Sequence, residues 1–356
     1  MPRSSLAVRQ SSTATGFRQV APAFTLRGAG AYNPAMDSTL PQRPGELLGR
    51  LRGLPVLVVG DLCLDEYRHG PVRAIAQEAP VACLDEAERV RVPGQAANVA
   101  ANLAALGARV NVVALLGADE AGGRLRGLLE AVGVNLDGVQ ESSRPTTEKL
   151  KLVATEPDGQ HVYHCYRESR EPLELAEEAR LLRSIEGLLR ECAAVVISDY
   201  GNGVVGDVLL ELIRSSKKPW VADTRNDLGG FHGAGCLKPN RREVELWWRD
   251  RGGGEVDFAE KAESCRRELG LGWLCVSRGS RGLELYHAGG RVRLPALCPP
   301  HLVSDFTGAG DTVSAALGLA LAGGCRPEEA ARLASLAAAD VVARPGTSTP
   351  WPEDDA

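Results

Sequence analysis

The stretch "DFTGAGDT", residues 305–312, strips the side chains from a turn and sets a carboxylate at its exit. From Asp311 onward, "DTVSAALGLALAGG" has helix-forming composition, and Gly323-Gly324 stops it, so Asp311 stands at a helix start. Gly308, Ala309 and Gly310 bring bare backbone N–H groups to the same end. Unpaired N–H groups and the positive end of the helix dipole make an anion site there, and glycine lets a phosphate approach closely. A helix start also favours the ionised carboxylate, the form a general base needs at neutral pH. The plain alternative is a glycine turn with Asp311 as an ordinary N-cap.

Other groups have the types and spacing for chemistry. "GDLCLD" (60–65) places Asp61 and Asp65 just past an apolar run, where carboxylates accept hydrogen bonds from a polyol; a solvated turn is the alternative. In "VPGQAANVAANLAALG" (92–107) Gly94 opens a helix and Asn98 lies in its first turn, offering donor and acceptor to a sugar hydroxyl. The alternative is a turn glycine and a local cap. "LKPNRREVE" (237–245) projects Asn240 and Glu243 three residues apart on one helical turn. An amide and a carboxylate so placed hold a hydrated Mg²⁺ with a phosphate oxygen, or simply begin a helix. "VSRGSRG" (276–282) brings Ser277, Arg278, Gly279 and Gly282 to a strand end, as contacts for nucleotide phosphates or as a hairpin turn. The sequence contains no G-x-x-x-x-G-K-[ST], which excludes a P-loop enzyme. "GNGVVG" (201–206), with Asp223 ending the next strand, outlines a dinucleotide site and an oxidoreductase. Against it, "SDY" separates the apolar run from Gly201, where that fingerprint wants glycine at the strand end.

A regular scaffold must position these residues. "LPVLVVGD" (54–61) suits a strand buried on both faces, and "RVNVVALLG", "AAVVISDY", "PWVADT", "GCLKPN" and "GWLCVSRG" read as further strands. Helical segments lie between most of them, which implies an α/β fold with a parallel sheet and helices on both faces. Residues 66–92 and 146–169 alternate polar and apolar around turn signals such as "PDG". They read as antiparallel strands projecting from the main sheet, placed to cover its carboxyl ends, where α/β ligand sites lie.

The 356 residues carry a net charge of −5 and no run of Lys or Arg that would mark a nucleic-acid surface. No apolar stretch reaches the roughly 18 residues that span a bilayer. Nine cysteines are scattered with no C-x-x-C pair, which argues against zinc and thioredoxin-like chemistry and for reduced thiols in a cytoplasm. Residues 1–45, rich in Ser, Ala, Pro and Gly and without an acidic residue before Asp37, resemble a transit peptide in composition. A disordered extension is the preferred reading, with the folded domain over 46–350 and a tail over 351–356.

"PGQAANVAANLAALG" and "DFTGAGDT" resemble the two signatures of the ribokinase (PfkB-type) carbohydrate kinases, with "KPN..E" and "SRG" between them in matching order. Within that family "VVGDLCLDEYRHGPVRAIAQEAPV", "TTEKLKL", "VVISDYGNG" and "RPGTSTP" are similar to stretches of the heptose-7-phosphate kinases of lipopolysaccharide-core precursor synthesis. The resemblance implies a three-layer sandwich with a mostly parallel sheet and a small β-sheet lid. It implies ATP-dependent phosphorylation of a sugar or sugar phosphate hydroxyl: heptose 7-phosphate at the anomeric position, or another sugar of the same family. Asp311 would be the base and Gly308, Ala309 and Gly310 the anion hole. Asp61, Asp65, Gly94, Asn98 and Lys149 would bind the sugar, Lys149 being suited to a phosphate already on it. Ser277, Arg278, Gly279 and Gly282 would line the ATP site, with Ala338 and Val341 near the adenine. Asn240 and Glu243 would organise Mg²⁺ through water, and Asp305 and Gly346 a monovalent cation, K⁺. The lid would double as a homodimer surface.

The departures from the pattern cluster on the sugar side. Gln95 replaces the second glycine of the first signature, its side chain directed to the sugar pocket. Asn202 stands where the heptose kinases tend to carry Lys in "SDYxKG", and "YHCYRES" (163–169) lacks an expected Arg-x-Asp. They bear on the choice of substrate and motivate a second alternative, a sugar-binding protein without catalysis. Some members of the group carry a fused nucleotidyltransferase domain, for which 356 residues leave no room.

Overall fold

The computed structural model describes residues 44–156 and 159–351. Apart from residues 44 and 45, the expected N-terminal extension lies outside them, as does the tail beyond Trp351. Apolar runs form β1 (Pro55–Gly60), β6 (Arg109–Gly117), β7 (Asn135–Ser142), β10 (Ala194–Asp199), β11 (Trp220–Thr224), β12 (Cys236–Leu237) and β13 (Trp273–Ser277). These strands run parallel, and β14 (Leu283–His287) and β15 (Gly290–Leu294) close one edge as antiparallel partners. The order is β15-β14-β13-β12-β11-β10-β1-β6-β7. Val58 pairs with Val196 on one side and Val112 on the other, so β1 is central and buried on both faces, as its unbroken apolar run requires.

Helices cover both faces. One core joins the sheet to α1 (Pro44–Leu51), α2 (Ala96–Ala105), α3 (Glu120–Ala131), α8 (Ala309–Ala322) and α9 (Pro327–Val342). The other joins it to α4 (Leu175–Leu189), α5 (Asp207–Ser215), α6 (Arg241–Asp250) and α7 (Phe258–Glu268). The sequence reading had no counterpart for α1, whose Leu47 and Leu51 are buried in the first core. Gly318 lets α8 lie against β10, because a Cβ there would stand 2.2 Å from Val196.

From β1 the chain builds outward through β6 and β7, then returns to β10 and builds the other way. The carboxyl ends of β1 and β10 therefore flank the switch point of the sheet, the crevice where open α/β sheets bind ligands.

Over that edge lies a second sheet, ordered β5-β2-β8-β9, of β2 (Leu62–Gly70), β5 (Glu88–Gln95), β8 (Thr147–Ala154) and β9 (Gln160–Arg167). A separate ribbon pairs β3 (Val72–Ile75) with β4 (Ala82–Leu84). The expectation of wholly antiparallel lid strands needs correction: β2 and β8 run parallel, with Asp65 beside Lys149. Both leave the carboxyl edge of a parallel sheet, β2 from β1 and β8 from β7, and so enter the lid in the same direction. Alternation along the strands puts Cys63, Asp65 and Tyr67 on the same face as Thr147, Lys149 and Lys151.

Candidate active site

The start of α8 is built as the glycines require. Gly308 adopts the left-handed conformation (φ 81°), and a Cβ on it would lie 2.8 Å from Asn98 Nδ2. The first bond within the helix runs from Thr312 N–H to Gly308 O, which leaves the amides of Gly310 and Asp311 open. Ala309 N–H donates instead to Phe306 O (3.3 Å), so that member of the expected 308–310 set is engaged within the turn.

Asp311 is 5% exposed and held at both oxygens: Asn98 Nδ2 donates to Oδ2 (2.9 Å) and the Tyr200 hydroxyl to Oδ1 (2.7 Å). Burial pushes its pKa up to about 6; the Asn98 and Tyr200 hydrogen bonds and Lys238 pull it back, and the Asp223 charge adds to the rise. The expected preference of a helix start for the ionised form is thus outweighed by desolvation. Asn98 is fixed in turn, its Oδ1 accepting from Asn102, whose own Oδ1 accepts from Thr312. The amide expected to meet a sugar hydroxyl is engaged with Asp311 instead.

Asp61 also departs from expectation. Its oxygens accept the backbone N–H groups of Tyr200 (2.8 Å), Asn202 (3.1 Å) and Val204 (3.3 Å), so it shapes the loop after β10 rather than facing a sugar as a free carboxylate. Burial raises it to about 6 against those donors. The same contacts overturn the dinucleotide outline: the "GNGVVG" loop wraps Asp61, and Asp223 is buried in an ion pair with Lys238 (3.0 Å).

The lid brings Asp65 over the crevice. Lys151 Nζ pairs with it at 3.0 Å and donates to Tyr67 Oη at 2.8 Å, and Thr347 closes the cluster. Gly94 makes room, since a Cβ there would stand 2.8 Å from the Asp65 carboxyl carbon. Sequence reading missed Lys151, although it is two residues from Lys149 on the same lid face. Lys149 has no carboxylate partner among the described residues; its ammonium lies 5.3 Å from the Tyr166 ring centre and 5.2 Å from that of Tyr200. Gln95 has φ 54° and ψ −131°, a backbone suited to glycine, and both atoms of its buried amide lack a hydrogen-bond partner.

On the other side of Asp311 lie charges that the motifs did not announce. Lys238 and Asp223 are almost wholly buried; burial works against the Lys238 charge, but Asp223 holds its pKa above the ordinary value. Arg225 lies over Tyr200 and pairs with Glu243 (3.1 Å); burial opposes its charge, and Asp223, Tyr200 and Glu243 raise its pKa nonetheless. Asn240 and Glu243 form a reciprocal capping box on α6, so both are tied to the helix start in the form of the simpler alternative. A Cβ on Gly310 would stand 3.4 Å from Lys238 Nζ and 3.9 Å from Asp223, which marks a cradle between the open amides and these charges. Asp223 Oδ1 accepts no hydrogen bond there. Two cations, open amides and a free carboxylate oxygen fit a polyphosphate with a divalent ion. Among the described residues no three His, Cys, Asp or Glu gather as a metal site, so such an ion would draw ligands from phosphate and water.

Of the expected nucleotide contacts, Ser277 ends β13 with its N–H on Pro239 O, and Gly279 (φ 58°) faces open space. Arg278 is not open to phosphate: its guanidinium pairs with the buried Glu284. Gly282 (φ 82°) is a packing glycine, a Cβ there standing 2.2 Å from Leu294 O. Val341 is 2% exposed and packs inside, leaving Ala338 as the partly exposed member of that pair. Asp305 and Gly346 do meet: Asp305 Oδ2 accepts Gly346 N–H (3.1 Å) while Oδ1 accepts from Thr307, beside the α8 start.

The geometry agrees with comparison to known proteins. At 22% identity the fold matches Arabidopsis thaliana ribokinase complexed with ribose and ATP, with a TM-score of 0.63 over 83% of this chain and 96% of that one. At 21% identity it matches phosphofructokinase-2 from Escherichia coli in complex with substrates and products, with a TM-score of 0.71 over 83% and 95%. A bifunctional protein HldE of Geobacter metallireducens is 38% identical over 320 residues, 86% of this chain. The chain spans 63% of that relative's length. Residues 56–354 match the pfkB family carbohydrate kinase pattern throughout, and the chain belongs to that family.

Proposed function

We propose that the chain transfers the terminal phosphoryl group of ATP to a hydroxyl of a sugar phosphate, and that the acceptor is heptose 7-phosphate, phosphorylated at its anomeric position. The observation that carries this reading is a buried carboxylate, Asp311, beside open helix-start amides, the buried Lys238 and the more exposed Arg225. Asp311 takes the proton of the attacking hydroxyl, and its raised pKa makes it a better proton acceptor while leaving it ionised at neutral pH. The amides of Gly310 and Asp311, with Lys238 and Arg225, meet the negative charge of the moving group. ATP with Mg²⁺ supplies that group when bound; Ser277, Gly279 and Ala338 line its place, and Asn240 and Glu243 reach the ion through water. Asp305 and the 346 backbone suit K⁺ next to the anion hole.

A phosphate already on the acceptor has a partner in Lys149, a cation on the inner lid face with no carboxylate partner among the described residues. Substrate choice is tested by ATP turnover on a panel of phosphorylated and unphosphorylated heptoses and hexoses, with wild type and Lys149→Met. The variant should lose roughly tenfold or more in kcat/KM on phosphorylated acceptors only, the range of one charge-assisted contact. An equal loss on neutral sugars would remove Lys149 from phosphate recognition.

The partner surface belongs to the lid. β9 is an edge strand with every residue exposed, Tyr163 at 58%. A second copy of the chain pairs there. Light scattering on Tyr163→Glu should report monomers where wild type is dimeric; a dimeric variant would place the contact elsewhere.

A further inference from the structure

Tyr200 touches three parts of the site that the reaction must keep in register. Its backbone N–H donates to Asp61, fixing the turn beyond β10. Its hydroxyl donates to Asp311 Oδ1 at 2.7 Å. Its ring lies 5.2 Å from the Lys149 ammonium of the lid and 5.4 Å from the guanidinium of Arg225, which is itself paired with Glu243. We propose that Tyr200 is a positioning residue for phosphoryl transfer, holding the base by its hydroxyl and spacing the lid cation from the nucleotide-side cation with its ring.

This rests on the kinase reading of the site. A carboxylate turns freely about its last bond unless both oxygens are held; here Asn98 holds one and Tyr200 the other. An aromatic ring attracts a cation over it, so the Tyr200 ring gives Lys149 and Arg225 a common support despite their mutual repulsion. The charged and titratable groups around Asp311 come from every neighbouring element: Asp223 from β11, Lys238 beyond β12 and Tyr200 beyond β10, with Asn98 from α2 as the neutral donor. Of these, Tyr200 alone also contacts the lid lysine through its ring.

Two variants test the proposal. Tyr200→Phe keeps the ring and removes the donor to the ionised base. The acid limb of kcat/KM should move up by about one pH unit, a tenfold change in proton affinity, with the acceptor KM unchanged within about twofold. Tyr200→Leu removes the ring as well, and the acceptor KM should rise several-fold above that of Tyr200→Phe. An unmoved acid limb in the first variant, or equal KM values in the two, overturns the proposal; a lowered Tm with an unmoved limb is the mark of a merely structural residue. Urea unfolding against pH reports the proton affinity of Asp311 without turnover. An unmoved profile in Tyr200→Phe overturns the inference even in an active kinase. A moved profile in a chain that phosphorylates no sugar overturns the kinase reading and leaves the hydrogen bond standing.

Discussion

Asp311→Asn isolates the charge of one buried carboxylate. In the folded chain burial raises its pKa from the ordinary 3.8 to about 6; in the unfolded chain it returns to 3.8. The folded state therefore holds the proton more tightly than the unfolded state. The native fold gains relative stability as pH falls from about 6 toward 4, and it carries the full penalty of the ionised form above 6. A rise of about two units at roughly 1.4 kcal/mol each makes that penalty about 3 kcal/mol at pH 8. Asparagine carries no charge. Its Oδ1 can accept from Asn98 while its NH₂ donates to the Tyr200 oxygen, which trades two charge-assisted hydrogen bonds for neutral ones at an offset of about 1 kcal/mol that does not vary with pH. The unfolding free energy of the variant minus that of wild type should thus rise by about 3 kcal/mol between about pH 4 and pH 8, whatever its offset. Asp61, also raised to about 6, is common to both proteins and cancels. Urea denaturation across that range measures the difference, and activity should fall by roughly 10²–10⁴-fold. A flat difference would show that Lys238 and Arg225 compensate the charge fully, and the desolvated base would have to be abandoned.

Other expectations follow from single contacts. Lys151→Met leaves Asp65 buried without its cation and should cost about 3–5 kcal/mol in urea unfolding; a loss below about 1 kcal/mol would mean that Asp65 is solvated. Gly308→Ala places a methyl group 2.8 Å from Asn98 Nδ2 in a left-handed conformation. It should lower kcat by at least about tenfold by displacing Asn98 from the base, and an active variant would show that the turn yields. Gln95→Gly relieves a positive φ and two unpartnered amide atoms, and should raise stability by about 1 kcal/mol, read as a Tm a few degrees higher. A lower Tm would mean that the Gln95 side chain packs better than its missing hydrogen bonds suggest.

What could be read from the sequence was what depends on neighbours along the chain. Buried strands announce themselves by unbroken apolar runs, and the α8 start by glycines whose backbone does the work. The surroundings of Asp311 and Asp65 depend on partners far apart in sequence. Tyr200 and Asp311 are 111 residues apart, Asn98 and Asp311 213, Lys151 and Asp65 86, and no local pattern encodes such pairings. Asp61 and Arg278 are polar side chains at strand ends that the fold engages, Asp61 with three backbone N–H groups and Arg278 with Glu284, and nothing local in the sequence signals those partners. Strand direction in the lid escaped for the same reason, since alternation of side chains is identical in parallel and antiparallel pairs.

The four joints between the lid and the body contain one residue (β1 to β2), none (β5 to α2), four (β7 to β8) and seven (β9 to α4). A sheet rooted so tightly cannot swing on slack tethers. Its travel must come from flexing of strands that continue into the body, and any pull on β5 is passed directly to the first turn of α2, which carries Asn98. Movement of this sheet is therefore coupled through α2 to the carboxylate that Asn98 holds.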